Sequence, residues 1–200
     1  MAPLTGWIDY DRQKLNSLDA KGRIDYFEKR VRMVAITPLR RIVQKEIHPV
    51  NEKGQSLQDC SALLIYAVAV CCTIESLGRF LNPGTPYNSD RFKAFLHKYM
   101  NKAFQSKALN GVPYGQILWK SFRNGLAHGF AVSHGGFEGI RGDPYFAVKG
   151  SILEINPSCL QDDLEQGFAG YLSDLRKTSG TGALFGNCDK VFTDVFIKGK

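Results

Sequence analysis

The stretch with the most chemical potential is residues 122–129, which reads Phe-Arg-Asn-Gly-Leu-Ala-His-Gly. It places Arg123, Asn124 and His128 within six residues. Cleaving RNA without a metal needs a base for the 2′-hydroxyl proton, a cation for the charge on the phosphorane and an acid for the leaving 5′-oxygen. Histidine suits the proton transfers because its ordinary pKa is roughly 6.5, and the arginine fork holds two phosphate oxygens. We therefore interpret this stretch as a candidate RNA-cleaving site, with Asn124 assisting.

The same three residues also have structural interpretations. His128 suits the end of a helix, where it would interact with the last carbonyl groups, and Gly129 suits the left-handed residue that commonly closes a helix. Asn124 could form hydrogen bonds within a helical bundle. The residue types alone leave these alternatives open.

The spacing of the motif bears on how it could work. Asn124 and His128 are four residues apart and share a face of a helix. Arg123 and His128 are five apart, so a regular α-helix would turn them about 140° from each other. They could converge if the helix ends near His128, or if a second subunit completes the site. At a two-fold interface each motif would appear twice, which hints at a composite site.

Glu75 is a candidate for supporting Arg123. It lies near the end of an apolar run, so its carboxylate is expected near the core and paired. If its partner is Arg123, Glu75 would orient the arginine; otherwise it is an ordinary charge at the end of a helix.

The segment that leads into the motif is basic. Between Arg91 and Arg123 there are seven Lys or Arg residues and no Asp or Glu. Such a run can be a solvated face or a footprint for a phosphate backbone. Its position directly before the motif favours the second interpretation, and the candidate RNA-binding residues are Lys93, Lys98, Lys102 and Lys120.

Composition restricts the class of protein. With 200 residues, of which 44% are apolar, the chain can form one domain with a sizeable core, and its net charge of +7 favours polyanionic partners. Five cysteines without a C-x-x-C pair argue against a disulfide framework or zinc ribbon and suit the reducing cytoplasm. The start of the chain does not resemble a signal peptide, and the most apolar run, 62–72, is shorter than the roughly 20 residues of a membrane span. We expect a cytoplasmic protein without a membrane anchor, metal or cofactor.

Apolar periodicity and turn residues predict a mainly α fold. The predicted helices cover about 23–46 (kinked or broken at Pro38), 57–81, 90–104 and 114–128. A β-hairpin of 145–149 and 152–155 follows, and then a helix from Asn156-Pro157 to about 177. The chain continues with a glycine-rich linker over 179–186 and a short terminal element over 189–197, which is expected to be helical. The simplest packing is an antiparallel bundle of about five helices, with a small hairpin inserted before the last long helix.

The sequence from Arg123 to His128 resembles the R-x4–6-H signature of the HEPN superfamily, in which a polar residue such as Asn124 often follows the arginine. Members are small helical bundles, and many are homodimeric, metal-independent RNases of toxin–antitoxin, abortive-infection and CRISPR systems. In that family the arginine and histidine of both subunits meet in a cleft at the dimer interface. The resemblance covers roughly residues 22–178 by architecture, and six residues by motif.

The resemblance implies a single HEPN-like domain over 1–200, with its core at about 22–178, the hairpin region at about 130–155 and a C-terminal appendage at 179–200. It further implies an endoribonuclease toxin or antiphage defence component that leaves a 2′,3′-cyclic phosphate, with an antitoxin such as a nucleotidyltransferase-type protein as a partner. Two alternatives remain: a non-catalytic module that binds RNA or a nucleotide or dimerises, and an interaction protein whose motif only staples a dimer.

Overall fold

The computed structural model describes residues 12–47, 60–124, 135–137 and 143–199. Within these ranges the chain is mainly helical, as the sequence predicts, and its strands are short. Several helices continue into π-helical turns, in which the backbone N–H bonds to the carbonyl five residues back. The helical elements of the first half are α1 (Arg12–Asn16), α2 (Ala20–Val31), π1 (Arg32–Ile36), α3 (Thr37–Ile42), π2 (Val43–Ile47) and α4 (Cys60–Leu81).

The sequence predicts a kink or a break at Pro38, and the break does not occur, because the stretch from α2 to π2 is helical throughout. Proline lacks the N–H that an α-helix needs and crowds the preceding turn. Here the turn before it is π1, and Thr37 donates its N–H to the carbonyl of Arg32, five residues back. The wider π-helical winding thus accompanies the proline within a continuous helical stretch.

Helix α4 lies at the centre of the bundle and packs against α5 (Asn88–Tyr99), the α3–π2 stretch and the C-terminal helix (Ala183–Phe192). Its apolar side chains supply much of the core, including Tyr66, Val70 and Ile74. By length and hydropathy it is the one helix within the described ranges that could cross a membrane, over Ala62–Leu81. Of the most apolar window in this span, 44% is buried inside the bundle.

The α4–α5 crossing is close because of Gly78. A Cβ atom at Gly78 would lie 1.8 Å from the carbonyl oxygen of Arg91, so only glycine fits there. Helix α5 (Asn88–Tyr99) ends five residues before the predicted end at 104. The cause is tertiary, because the N–H of Asn101 donates to Asp163 at 2.9 Å and the Asn101 side chain accepts from Ala103. A separate short helix, α6 (Ala103–Ser106), follows.

The middle of the chain contains a small hairpin that the sequence indicated only as a turn. Asn110 and Gly111 have φ angles of +51° and +78°, the left-handed pair that suits a two-residue hairpin loop. The flanking strands are β1 (Ala108–Leu109) and β2 (Val112–Pro113). The motif helix follows as α7 (Tyr114–Ile117) and π3 (Leu118–Asn124).

The predicted hairpin before the last long helix is confirmed, as β4 (Phe146–Lys149) and β5 (Ile152–Ile155). A third strand, β3 (Gly135–Phe137), pairs in parallel with β5 and was not predicted. Helix α8 (Pro157–Lys177) begins at the predicted cap, where the Asn156 side chain accepts from the N–H of Ser158 at 2.9 Å.

The C-terminal prediction was partly wrong. Residues 179–186 are not all linker, because α9 (Ala183–Phe192) begins six residues before the predicted terminal element and continues as π4 (Thr193–Ile197). Cys188, Val191 and Phe192 are buried, so this segment packs into the core and does not stand apart as an appendage. An ion pair of 2.6 Å between Arg23 and Asp189 ties it to α2.

Candidate active site around Arg123

Arg123, on the last turn of π3, forms an ion pair with Glu75 of α4. Its Nε atom donates to Oε2 of Glu75 at 3.0 Å, and the two side chains are only 20% and 16% exposed. The structure thus matches the first of the two alternatives for Glu75. At this burial, solvent screens the charges less than at an open surface, so Glu75 fixes where the guanidinium lies.

A second contact comes from Trp119, one helical turn before Arg123. The guanidinium carbon lies 5.5 Å from the centre of the Trp119 ring, which suits a cation–π contact. Trp119 in turn packs against Phe92 of α5, with ring centres 5.0 Å apart. Sequence reasoning missed Trp119, although its four-residue spacing from Arg123 was a usable signal.

The guanidinium of Arg123 is therefore held through Nε and through its face. Its two terminal nitrogens have no hydrogen-bond partner within the described ranges. That outer edge is the one that can donate two parallel hydrogen bonds to a phosphate. Chemically, the arrangement is a pre-positioned anion-binding group.

The other two motif residues differ in what the structure describes. Asn124 is exposed and directly follows Arg123 at the end of π3. His128 lies outside the described residues. The described chain resumes at Gly135, where a Cβ atom would be only 3.0 Å from the ring of Phe122. It therefore resumes against the same helix that carries Arg123.

The motif helix is π-helical where it reaches the motif, over Leu118–Asn124. The angle of about 140° between residues five apart holds for a regular α-helix. In π-helical winding, hydrogen bonds join residues five apart and bring them closer to one face. Four of the five steps from Arg123 to His128 lie beyond Asn124, outside the described residues, so this winding does not bear on whether a second copy is required. Similar winding occurs in π1, π2 and π4, so it does not mark the site on its own.

Cys72 is a neighbour of the pair that sequence reasoning did not connect to it. Burial raises the pKa of the Cys72 thiol, while the charge of Arg123 lowers it and that of Glu75 raises it. The adjacent Cys71 is fully buried, and its pKa is raised mainly by that burial. Cys72 itself is exposed, so its reactivity can report on the charges of the pair.

The predicted RNA-binding lysines are not gathered around Arg123. Lys120 is exposed on π3, about one turn before Arg123, and Lys93 pairs with Asp90 at 3.7 Å. The ammonium of Lys98 lies 5.2 Å from the centre of the Tyr99 ring.

The remaining lysines are at the other end of the motif helix. Gly115, at its start, packs against Leu96 and Phe104. Lys98 and Lys102 belong to that end, whereas Trp119 packs near the start of α5. The predicted basic footprint is therefore spread along the helix pair, and Lys120 is the candidate lysine on the helical turns next to the arginine.

An exposed apolar face of α4 borders the site. Ile65 is 62% exposed and Leu64 42% exposed, and Cys72 continues the face two turns further along. From Cys60 to Ile74 the helix carries no charged residue, and the next residue is Glu75. The face thus leads directly to the Arg123–Glu75 pair.

No protein-family model matches this chain, and no curated protein or solved structure matches it significantly. Within the described ranges, no group of three or more His, Cys, Asp or Glu side chains could hold a metal ion. The function must therefore be argued from the residues themselves.

Proposed function

We propose that this chain is a metal-independent endoribonuclease of HEPN type, which acts as a homodimer with a composite site. The observation that carries the proposal is the state of Arg123. Its guanidinium is fixed by Glu75 and Trp119 and keeps its outer edge for a phosphate. It does so at the first position of the R-x4–6-H motif.

In this proposal Arg123 binds the scissile phosphate and offsets the charge that develops on the phosphorane oxygens. His128 takes the proton of the 2′-hydroxyl, whose oxygen attacks phosphorus and displaces the 5′-oxygen. A histidine then donates a proton to the leaving 5′-oxygen, which becomes the 5′-hydroxyl. The products are a 2′,3′-cyclic phosphate and a 5′-hydroxyl, and Asn124 assists by positioning or by donating to the phosphate.

The apolar face of α4 supports the homodimer. A two-fold interface brings the same patch of both subunits together, and an uncharged patch can meet its own copy without repulsion, even on a chain of net charge +7. Because this face ends at Glu75, an axis through it would bring two copies of the motif near each other.

The proposed biological role is inferred from the resemblance to the HEPN superfamily. A cytoplasmic toxin or antiphage defence component would need an antitoxin, and a nucleotidyltransferase-type protein is the partner that the HEPN likeness suggests. RNA is the proposed substrate.

The second candidate is a non-catalytic module that binds RNA or a nucleotide, or that dimerises. The ion pair itself favours it, because Glu75 already gives Arg123 a structural partner. This candidate predicts RNA binding that weakens with salt and depends on Lys98, Lys102 or Lys120, without turnover.

The deciding experiment is incubation of the purified protein with single-stranded RNA in EDTA. Cleavage is expected from the wild type, with loss in Arg123→Ala and His128→Ala. His97→Gln is the matched control, because His97 is an exposed histidine of α5 outside the motif. No cleavage by the wild type, or cleavage unchanged in His128→Ala, would overturn the proposal.

A further inference from the structure

A cavity lies between the α2–π1 stretch and α4 and is bordered by π4. Its volume is about 260 Å³, which is smaller than the roughly 300–1,000 Å³ of drug-sized sites. It therefore suits a small ligand. The lining is apolar apart from an arginine, two hydroxyls and a thiol, and its main walls are Phe27, Val31, Val34, Leu77, Phe80 and Phe196.

Arg30 is the charged residue of this cavity. Its Nη1 atom is buried and has no hydrogen-bond partner among the described residues. Three other arginines of the α2–α3 stretch each meet a carboxylate: Arg23 at 2.6 Å, Arg32 at 2.8 Å and Arg40 at 2.8 Å. A buried donor of a charged group without an acceptor is costly, so Arg30 needs an explanation, whereas Arg41, which likewise meets no carboxylate among the described residues, is exposed.

The hydroxyls of the cavity do not provide the Nη1 atom of Arg30 with an acceptor. The Thr73 hydroxyl already donates to the carbonyl of Ala69 at 2.8 Å, and Ser76 is exposed. Phe27 and Leu77 are buried apolar walls. The cavity therefore has an arginine in its lining, beside a hydrocarbon surface.

We propose that this cavity binds a small carboxylate with an apolar body, such as a medium-chain or aromatic carboxylic acid. The carboxylate accepts hydrogen bonds from the guanidinium of Arg30, which lines the cavity. The hydrocarbon part packs against Phe27, Leu77 and Phe80. This site is independent of the proposed ribonuclease activity, since neither Arg123 nor His128 takes part in it.

Cys72 makes occupancy measurable. It lines this cavity and is exposed, so a bound ligand should slow its alkylation by a thiol reagent. Because alkylation does not depend on RNA cleavage, it tests the cavity even if the chain is not a ribonuclease.

The test uses octanoate as the probe and 1-octanol as its uncharged counterpart. We expect octanoate to raise the melting temperature, to slow Cys72 alkylation and to bind about tenfold or more tightly than octanol. Arg30→Met keeps an apolar stem and should abolish the preference for octanoate. Arg41→Met, an exposed arginine that does not line this cavity, should keep it.

A second variant guards against misfolding of Arg30→Met. Val34, which lines the cavity and is 49% exposed, can be changed to tryptophan to fill it while Arg30 stays in place. Octanoate binding should then be lost without loss of the fold. The proposal is overturned if octanoate does not bind at millimolar concentration, if it binds no better than octanol, or if either variant binds it like the wild type.

Discussion

Arg123 and Glu75 are 48 residues apart in sequence, and their Nε and Oε2 atoms lie 3.0 Å apart in the fold. This contact joins the central helix to the end of the motif helix. It also leaves the outer edge of the guanidinium for a ligand, so one side chain can serve both the fold and an anion.

Replacing Glu75 tests whether the pair positions the arginine. Glu75→Gln should reduce RNA cleavage about 10- to 100-fold, mainly in kcat, because a displaced guanidinium no longer meets the phosphorane. It should also lower the free energy of unfolding by about 1–2 kcal/mol, between the values for exposed and buried pairs. Steady-state kinetics and urea unfolding measure the two effects.

Two controls separate positioning from general damage. Glu75→Asp should restore part of kcat. Glu154→Gln removes a different ion pair, 3.1 Å from Lys149, and should leave cleavage unchanged. Equal loss of kcat in Glu75→Gln and Glu154→Gln would contradict a specific role for the pair.

The thiol of Cys72 should report the charges of the pair. The thiolate is the reactive form, and Glu75 raises its pKa while Arg123 lowers it. At a fixed pH near neutrality, alkylation of Cys72 should therefore be faster in Glu75→Gln and slower in Arg123→Ala. Peptide mass spectrometry over time measures the rate at each cysteine.

Cys159 provides the internal reference for that experiment. Burial raises its pKa, and the carboxylates of Asp162, Asp143 and Asp163 raise it further. Its rate should be the same in all variants. Changes of the same sign at Cys72 in both variants would show altered exposure of the helix and would contradict the electrostatic account.

The exposed face of α4 predicts how dimerisation can be broken. Ile65→Lys places two like charges at a two-fold contact, so it should convert a dimer to a monomer and abolish cleavage if the site is composite. Tyr87→Lys is the control, because Tyr87 is 69% exposed and lies just before α5, away from this face. Sedimentation and circular dichroism would show the oligomeric state and the retained fold. A dimer that persists in Ile65→Lys would place the interface elsewhere.

The close α4–α5 crossing predicts a large effect of one methyl group. Gly78→Ala should destabilise the protein by about 3 kcal/mol or more, because its Cβ atom would lie 1.8 Å from the Arg91 carbonyl oxygen. Gly186→Ala, in α9, meets no atom within 4 Å and should stabilise by roughly 0.5–1 kcal/mol. Urea unfolding measures both, and a Gly78→Ala protein as stable as the wild type would contradict the packing.

Local signals predicted local features well. The asparagine cap and proline of α8 and the Gly150-Ser151 hairpin depend on a few neighbouring residues, and the structure has both. The early end of α5 could not be predicted in this way. It depends on Asp163, which is 62 residues from Asn101 in sequence and accepts its N–H.

The candidate site likewise has features that local sequence predicts and features that depend on the fold. Residue types singled out Arg123 and Glu75, but the hydrophobic pattern gave no sign that π3 would depart from α-helical winding. The clustering of lysines in sequence did not carry over into space, because a run of residues spanning two antiparallel helices is distributed along both. Only the fold shows that Cys72 lies close enough to sense the pair.

The close helix contacts at Gly78 and Gly167 also constrain how this chain can change over evolutionary time. At Gly78 a side chain would meet the Arg91 carbonyl, and at Gly167 a Cβ atom would lie 2.8 Å from the carbonyl of Tyr99. Both contacts are with backbone, so no substitution of a neighbouring side chain can make room. Any descendant or distant homologue that keeps these crossings should keep glycine at both positions, even where most other residues have diverged. These two glycines are therefore positions by which such homologues can be recognised.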